Sequence, residues 1–327
     1  MTAVDLVVVG AGPAGAAAAI SAARRGLEVV LCDRTRFPRD KTCGDGLTTQ
    51  ALRLLETLGL GRPSLTRAGY VPVHECIIVS PSGRRVRLPL PDDGDHAGVV
   101  ARAGLDAELV TLARNQGIDV REGDGVDDLV VSTAGAKLHL ASGATIEARH
   151  VVAADGHWST IRRLLNPDAP RDLGTWHAVR QYYDRVDDAR LWVVFAEELL
   201  PGYAWVFPMP DGGANVGLGV LRAGRAGRDL RALWPDVLRR GELREILGPR
   251  AKPREAVRAW PIPTAYSPER LTDGPVLYAG DAAAVVDPMT GEGIAQALET
   301  GIAAADAIAR GGDTDSVARR YERTVDG

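Results

Sequence analysis

The residues of this chain best suited to chemistry are glycines, acids and one cysteine, set in short runs. Gly10, Gly12 and Gly15 form G-x-G-x-x-G, with Pro13 and Ala14 inside it, directly after the apolar run at 5–9. The first glycine of such a motif permits a tight turn. The second lets a pyrophosphate approach the backbone, and the third lets helix and strand pack closely. The helix start then offers free N–H groups and a partial positive charge to phosphates. Asp33, followed by Arg34, ends the next apolar run, where an acid accepts hydrogen bonds from ribose hydroxyls. A glycine-rich turn beside a surface aspartate would look similar, but strand, helix and acid in this order favour a nucleotide. Near the other end, Gly280-Asp281 again follows an apolar run and continues to Pro288, Gly291, Gly293 and Ile294. Asp281 can bond a ribityl or ribose hydroxyl. The helix after Gly293 can aim its N-terminus at a flavin edge, where the helix dipole favours negative charge. Alone, this second motif is also what a capped turn looks like. Two such motifs framing one chain suggest a large dinucleotide held from both ends, and FAD is the natural candidate.

Other positions are less specific. Ala153-Ala154-Asp155-Gly156 is a third strand-to-turn element, although Asp-Gly turns are common. Arg102 opens a helix, and most such arginines are simply solvated. Cys43 has glycine beside it and no obvious base; it reads as a proton donor or gate, or as the small buried hydrophobe a free cysteine usually is. Cys32 and Cys76 read as packing. Tyr203, Trp205 and Phe207 alternate along a strand and so share one face. Core packing alone would account for them.

The elements that must position these residues follow from periodicity. Residues 5–9, a helix from Pro13 to about Arg25 ended by Gly26, and the strand 27–32 make one βαβ unit. A helix is expected at 49–58, a hairpin at 75–80 and 84–88, and a helix carrying Leu105, Leu109 and Leu112. Strands are expected at 118–121, 126–131, 137–140, 145–148 and 150–154. From about 171 to 266 the texture changes: five of the six tryptophans (Trp176, Trp192, Trp205, Trp234 and Trp260), strands at 177–186, 191–195, 203–208 and 215–220, and one helix at about 229–247. The expected fold is α/β: a discontinuous Rossmann-like FAD-binding domain (1–68, 98–170 and 268–327) with an inserted antiparallel-sheet substrate domain (69–97 and 171–267).

At 327 residues, two structural units are expected. A net charge of −4 gives no electrostatic footprint for nucleic acid. Three sparse cysteines argue against a disulfide framework and fit a reducing cytoplasm. The apolar run at 6–23 lacks a basic leader and is broken at Gly12-Pro13, so it is neither a signal peptide nor a span. A cytoplasmic protein is expected, with a peripheral membrane contact left open. No metal site is expected.

The three motifs, in this order and spacing, resemble the flavoproteins with the para-hydroxybenzoate hydroxylase fold. Phe37-Pro-Arg-Asp-Lys41-Thr-Cys43-Gly44-Asp45-Gly46 resembles the Pro-x-x-Lys-x-Cys-Gly-Gly-Gly segment of the geranylgeranyl reductase family. Tyr203-Ala-Trp205-Val-Phe207-Pro208 resembles that family's Tyr-x-Trp-x-Phe-Pro strand. The stretch from Gly280 to Ile294 matches its C-terminal FAD segment. The resemblance covers essentially the whole chain. It implies FAD contacts from Gly10, Gly12, Gly15, Asp33, Arg102, Asp281, Gly293 and Ile294. It also places Cys43 and Gly44 beside the isoalloxazine, and Tyr203, Trp205 and Phe207 in an apolar pocket over it. Asp33 stands where glutamate is commoner, and Asp45 replaces a glycine. Family members usually continue further past the C-terminal FAD helix, so a more open cavity or a shortened form is expected.

The implied activity is double-bond reduction in an isoprenoid or other hydrophobic substrate by hydride from reduced flavin. An isolated alkene is poorly electrophilic, so a proton donor and a dry pocket are needed; Cys43 is the candidate donor. The alternative is a monooxygenase, hydroxylating or epoxidising through a C4a-hydroperoxide. Halogenation is disfavoured, because none of the three lysines, Lys41, Lys137 and Lys252, has a matching context. A non-catalytic prenyl-binding escort is the third reading, and the intact glycine motifs argue against it. The electron donor stays open among NAD(P)H, ferredoxin and reduced flavin, since no second G-x-G-x-x-G is present.

Overall fold

The computed structural model describes residues 3–169, 173–188, 190–223 and 230–326. The first sheet is built on parallel strands in the order Val276–Tyr278, Thr145–Ala153, Val4–Val9, Val29–Asp33 and Asp119–Glu122. Val4–Val9 lies near its centre, which explains the unbroken, buried apolar run Leu6–Val9 after Asp5. Pro13–Ala23 follows it, with proline in the first turn where no N–H is needed. Gly26 takes φ +83°, as a residue just past a helix end requires. Pro13–Ala23 packs against Ile294–Ala309. Both helices are rich in alanine, and Gly301 lets them close up, since a Cβ there would lie 2.1 Å from the Ala14 carbonyl oxygen. The two ends of the chain thus form one layer.

Two expectations on strands and one on a helix need correction. Residues 145–148 and 150–154 are one strand, Thr145–Ala153. Its first half pairs antiparallel with Gly135–Leu140 and its second half parallel with Val4–Val9, so a change of partner, not a turn, separates them. The helix expected at about 229–247 is two, Leu230–Leu238 and Gly241–Leu247; Asp229 lies outside the described residues. Arg240 adopts ψ 143°, and glycine as the next residue favours a fresh start over continuation. The second sheet has the order Lys252–Pro253, Trp176–Asp184, Gly213–Leu221, Tyr203–Met209, Leu191–Val194, Glu75–Val79, Arg85–Pro89, with Arg258–Ile262 also on Trp176–Asp184. It is antiparallel except that Leu191–Val194 and Glu75–Val79 run parallel. A small third sheet joins Gly46–Thr48, Ala97–Val99 and Val71–Pro72. Of the stretch 69–97, therefore, residues 75–89 carry the strands that enter the large second sheet.

Alternation makes the second sheet two-faced. Val179, Val194, Val206, Val216, Leu218 and Val220 form one core with Trp234, Val237, Leu243 and Ile246 of the two short helices. The other face turns to the first sheet and its loops. A cleft of about 800 Å³ lies between them, near the upper end for small-molecule sites.

Candidate functional site

The glycine turn forms the cleft's floor. A Cβ on Gly10 would lie 2.4 Å from the Ala154 carbonyl oxygen, and one on Gly15 1.7 Å from the Gly10 carbonyl oxygen. Both glycines are therefore demanded by the fold itself. Gly12 differs: a Cβ there would meet only guanidinium ends, Arg102 Nη2 at 3.5 Å and Arg39 Nη2 at 3.7 Å. No side chain caps the helix that begins there. The open side of this turn thus faces two cations, as an anion site needs.

Those cations are held by one acid. Asp106 has no exposed surface; it accepts from Arg102 Nε and Nη2, each at 2.8 Å, and stands 2.8 Å from Arg39 Nη1. Burial works against the Arg102 charge, and Asp106 more than offsets it, raising the pKa. Arg102 was read from the sequence. Arg39 and Asp106 were not, although Asp106 at i+4 from Arg102 on one helix is a readable signal. Asp33 uses Oδ2 to accept from Ala11 N at 2.8 Å and Oδ1 to accept from Thr35 N and Oγ1, so it also ties down the glycine turn. Arg34 lines the cleft beside it.

At the opposite wall, Asp281, Pro288, Gly291, Gly293 and Ile294 line the cleft. At the N-terminus of the following helix, Glu292 Oε1 accepts from Ile294 N at 2.8 Å and Ala295 N at 2.9 Å. Burial raises the Glu292 pKa against these two bonds. Asp155 lines the cleft, but one of its oxygens is committed to structure. Oδ2 accepts from Thr160 N and Ile161 N, starting a short helix. Its Oδ1 is buried and has no partner among the described residues.

The segment from Asp40 to Gly46 joins the two sheets, and here the structure adds most to the sequence reading. Asp45 has no exposed surface and a left-handed backbone, φ +64°, a conformation suited to the glycine it replaces. Its Oδ2 accepts from Tyr182 Oη at 2.6 Å and Asn215 Nδ2 at 2.8 Å; Oδ1 accepts from Arg102 N at 3.3 Å. Burial pushes its pKa up to about 6, opposed by the bonds from Tyr182 and Asn215. Asn215 also donates to the Cys43 carbonyl at 2.9 Å and accepts from Trp205 Nε1 at 2.9 Å. Arg180, with no exposed surface, bonds Asp40 and Glu255. No local pattern signals Tyr182, Arg180 or Asn215.

This network brings the proposed catalytic and pocket residues together. Asp45 N donates to Cys43 Sγ at 3.3 Å. A Cβ on Gly44 would touch Phe207 and Trp205 at 3.7 Å, so the Cys43-Gly44 backbone lies directly under that strand. Tyr203, Trp205 and Phe207 form a ladder with ring centroids 6.2 and 6.1 Å apart. Tyr203 Oη donates to the Thr290 carbonyl, closing the ladder onto the C-terminal wall. Burial, then Asp45, raises the Cys43 pKa, so the thiol keeps its proton at neutral pH. Lys41 also lines the cleft. Its Nζ lies 4.1 Å from the Trp260 ring centroid, and burial lowers its pKa.

These features fit FAD. An open anion turn under two arginines suits the pyrophosphate, and the orphaned Asp155 oxygen is an acceptor awaiting a donor. A model of the FAD binding domain family matches residues 3–311. A menaquinone reductase of Mycolicibacterium smegmatis is 36% identical over 96% of this chain and 78% of its own length. Digeranylgeranylglycerophospholipid reductase 1 of Methanococcoides burtonii is 30% identical over 98% of this chain and 78% of its own. The solved structure of a geranylgeranyl bacteriochlorophyll reductase-like protein from Thermoplasma acidophilum superposes with TM-score 0.81 at 24% identity, covering 100% of this chain and 83% of that one. Flavin-dependent halogenases also have this fold. Among the described residues, no helix is long and apolar enough to cross a membrane.

Proposed function

We propose that this chain, which belongs to the FAD binding domain family and is an FAD-dependent oxidoreductase, reduces carbon–carbon double bonds of an isoprenoid chain, carried on a quinone or a lipid. The observation that carries this reading is the placement of Cys43-Gly44 directly beneath the Tyr203–Phe207 ladder, in a cleft with an apolar aromatic wall where burial raises the thiol's pKa. Gly12, Pro13, Ala14, Arg39 and Arg102 would hold the pyrophosphate, and Asp33 with Arg34 the ribose. Asp155, Asp281, Pro288, Gly291, Gly293 and Ile294 would surround the ribityl and ring portion. Reduced FAD supplies a hydride when bound. The chain supplies what the hydride lacks. Cys43 Sγ holds a proton for the second carbon of the double bond, and solvent returns one afterwards. Tyr203, Trp205 and Phe207 exclude water, which an unactivated alkene requires.

The test is anaerobic. Holoprotein reduced with dithionite is mixed with geranylgeraniol or a prenylated naphthoquinone, and the products are weighed by mass spectrometry. The expected product gains two hydrogens per double bond. Unchanged substrate without air, with gain of one oxygen atom once air is admitted, would refute reduction in favour of oxygenation.

A further inference from the structure

The cleft-facing side of the second sheet carries three cross-strand rows. One is Tyr182, Asn215 and Phe207; the next is Arg258, Arg180, Gly217 and Trp205; the third is Trp260, Ala178, Gly219 and Tyr203. The two glycines, two residues apart on one strand, have opposite surroundings. A Cβ on Gly217 would lie 2.2 Å from Trp205 Cζ2, because the indole lies over it. A Cβ on Gly219 would meet no atom within 4 Å. The third row is therefore uncovered: its floor is Gly219 and Ala178, and its walls are Tyr203 on one side and Trp260 on the other.

The direction of this gap follows from strand polarity. Trp176–Asp184 and Tyr203–Met209 both run antiparallel to Gly213–Leu221, so both begin at the same end of the sheet. Leu173 and Leu200, three residues before each start, are exposed at that end. Met289 is 79% exposed, and its neighbour Thr290 is bonded by Tyr203. Apolar side chains thus rim the sheet end to which the gap leads.

We propose that the Trp260–Ala178–Gly219–Tyr203 row is a slot for an extended isoprenoid tail leaving the cleft past Leu173, Leu200 and Met289, with Gly219 as the residue that sets its clearance. The identity of the tail rests on the function proposed above; the slot itself rests on the open floor at Gly219. Gly219 has no left-handed φ, so larger residues meet no backbone strain there.

Binding of radiolabelled geranylgeraniol to the oxidised holoprotein, by equilibrium dialysis, tests the slot without any turnover. Gly219→Phe is expected to weaken binding by about tenfold or more, with FAD affinity unchanged. Should Gly219→Phe fail to retain FAD, Gly219→Val, whose smaller side chain enters the same open space, decides by the same comparison. Wild-type affinity in a variant that retains FAD overturns the slot, as does a wild-type protein that binds no geranylgeraniol. Intact binding without anaerobic saturation would instead sink the reduction reading and leave the slot standing.

Discussion

Replacing Asp45 with asparagine isolates the cost of a buried charge in the cleft. The wild-type carboxyl titrates at about 6 in the folded protein, against 3.8 for the free side chain. A carboxyl whose pKa rises on folding binds its proton more tightly in the native state. Stability therefore falls as pH climbs from about 4 to about 6 and stays at the lower level above. The gap corresponds to roughly 3 kcal/mol at about 1.4 kcal/mol per pH unit. Asparagine keeps the shape, tolerates the left-handed backbone, and can place its oxygen where Oδ2 accepts from Tyr182 and Asn215. Only the long contact from Arg102 N then faces a donor. The asparagine variant lacks this titration. Its stability relative to wild type is thus expected to improve by about 2.5 kcal/mol between pH 4 and pH 7, whatever the difference at pH 4. Urea unfolding of both proteins across that range measures the difference directly, and the other buried acids, Asp155 and Glu292, cancel in it. Parallel curves would refute the reasoning, because they would mean that Asp45 pays no charging penalty.

Gly12→Ala should fold and bind FAD weakly, whereas Gly15→Ala should lose several kcal/mol of stability, because only the second forces backbone apart; melting temperature and FAD titration separate the two. Asp106→Asn should loosen both Arg102 and Arg39 and weaken FAD binding by about tenfold, corresponding to roughly 1.4 kcal/mol, measured by flavin fluorescence quenching. Cys43→Ala should leave FAD affinity intact and lower anaerobic saturation by about a hundredfold, the usual contribution of a positioned acid; unchanged turnover would remove Cys43 from the reaction. Alkylation of Cys43 should accelerate only above the ordinary thiol range, since burial raises its pKa, and rapid modification at pH 7 would contradict that environment.

Local signals carried the glycine turn, the acid after the second strand and the aromatic alternation at 203–207, because each lies within a few residues of chain. The partners of Asp45 could not be read this way: Tyr182 lies 137 residues on and Asn215 170. Only the aspartate in a glycine's place hinted that something must satisfy it. Asp155 was legible as an acid at the right turn, but neither it nor Glu292 as a cap, since capping depends on which N–H groups the turn leaves within reach. The merged strand at 145–153 escaped because periodicity reports burial and not the change of partner. The split at Arg240 has a readable trace, since Arg239-Arg240-Gly241-Glu242 interrupts the apolar spacing between Leu238 and Leu243.

The bonds from Asp45 and Cys43 to Tyr182 and Asn215, and from Asp40 to Arg180, also have a mechanical meaning. They rivet the 40–45 segment of the cofactor layer to the middle of the second sheet, well inside the cleft. A hinge opening the two layers like a book would have to break a buried charged network, at several kcal/mol. Opening of the two layers at this point is therefore disfavoured. On the proposed reading, a long substrate would then thread in endwise along the apolar wall, without a domain motion to admit it.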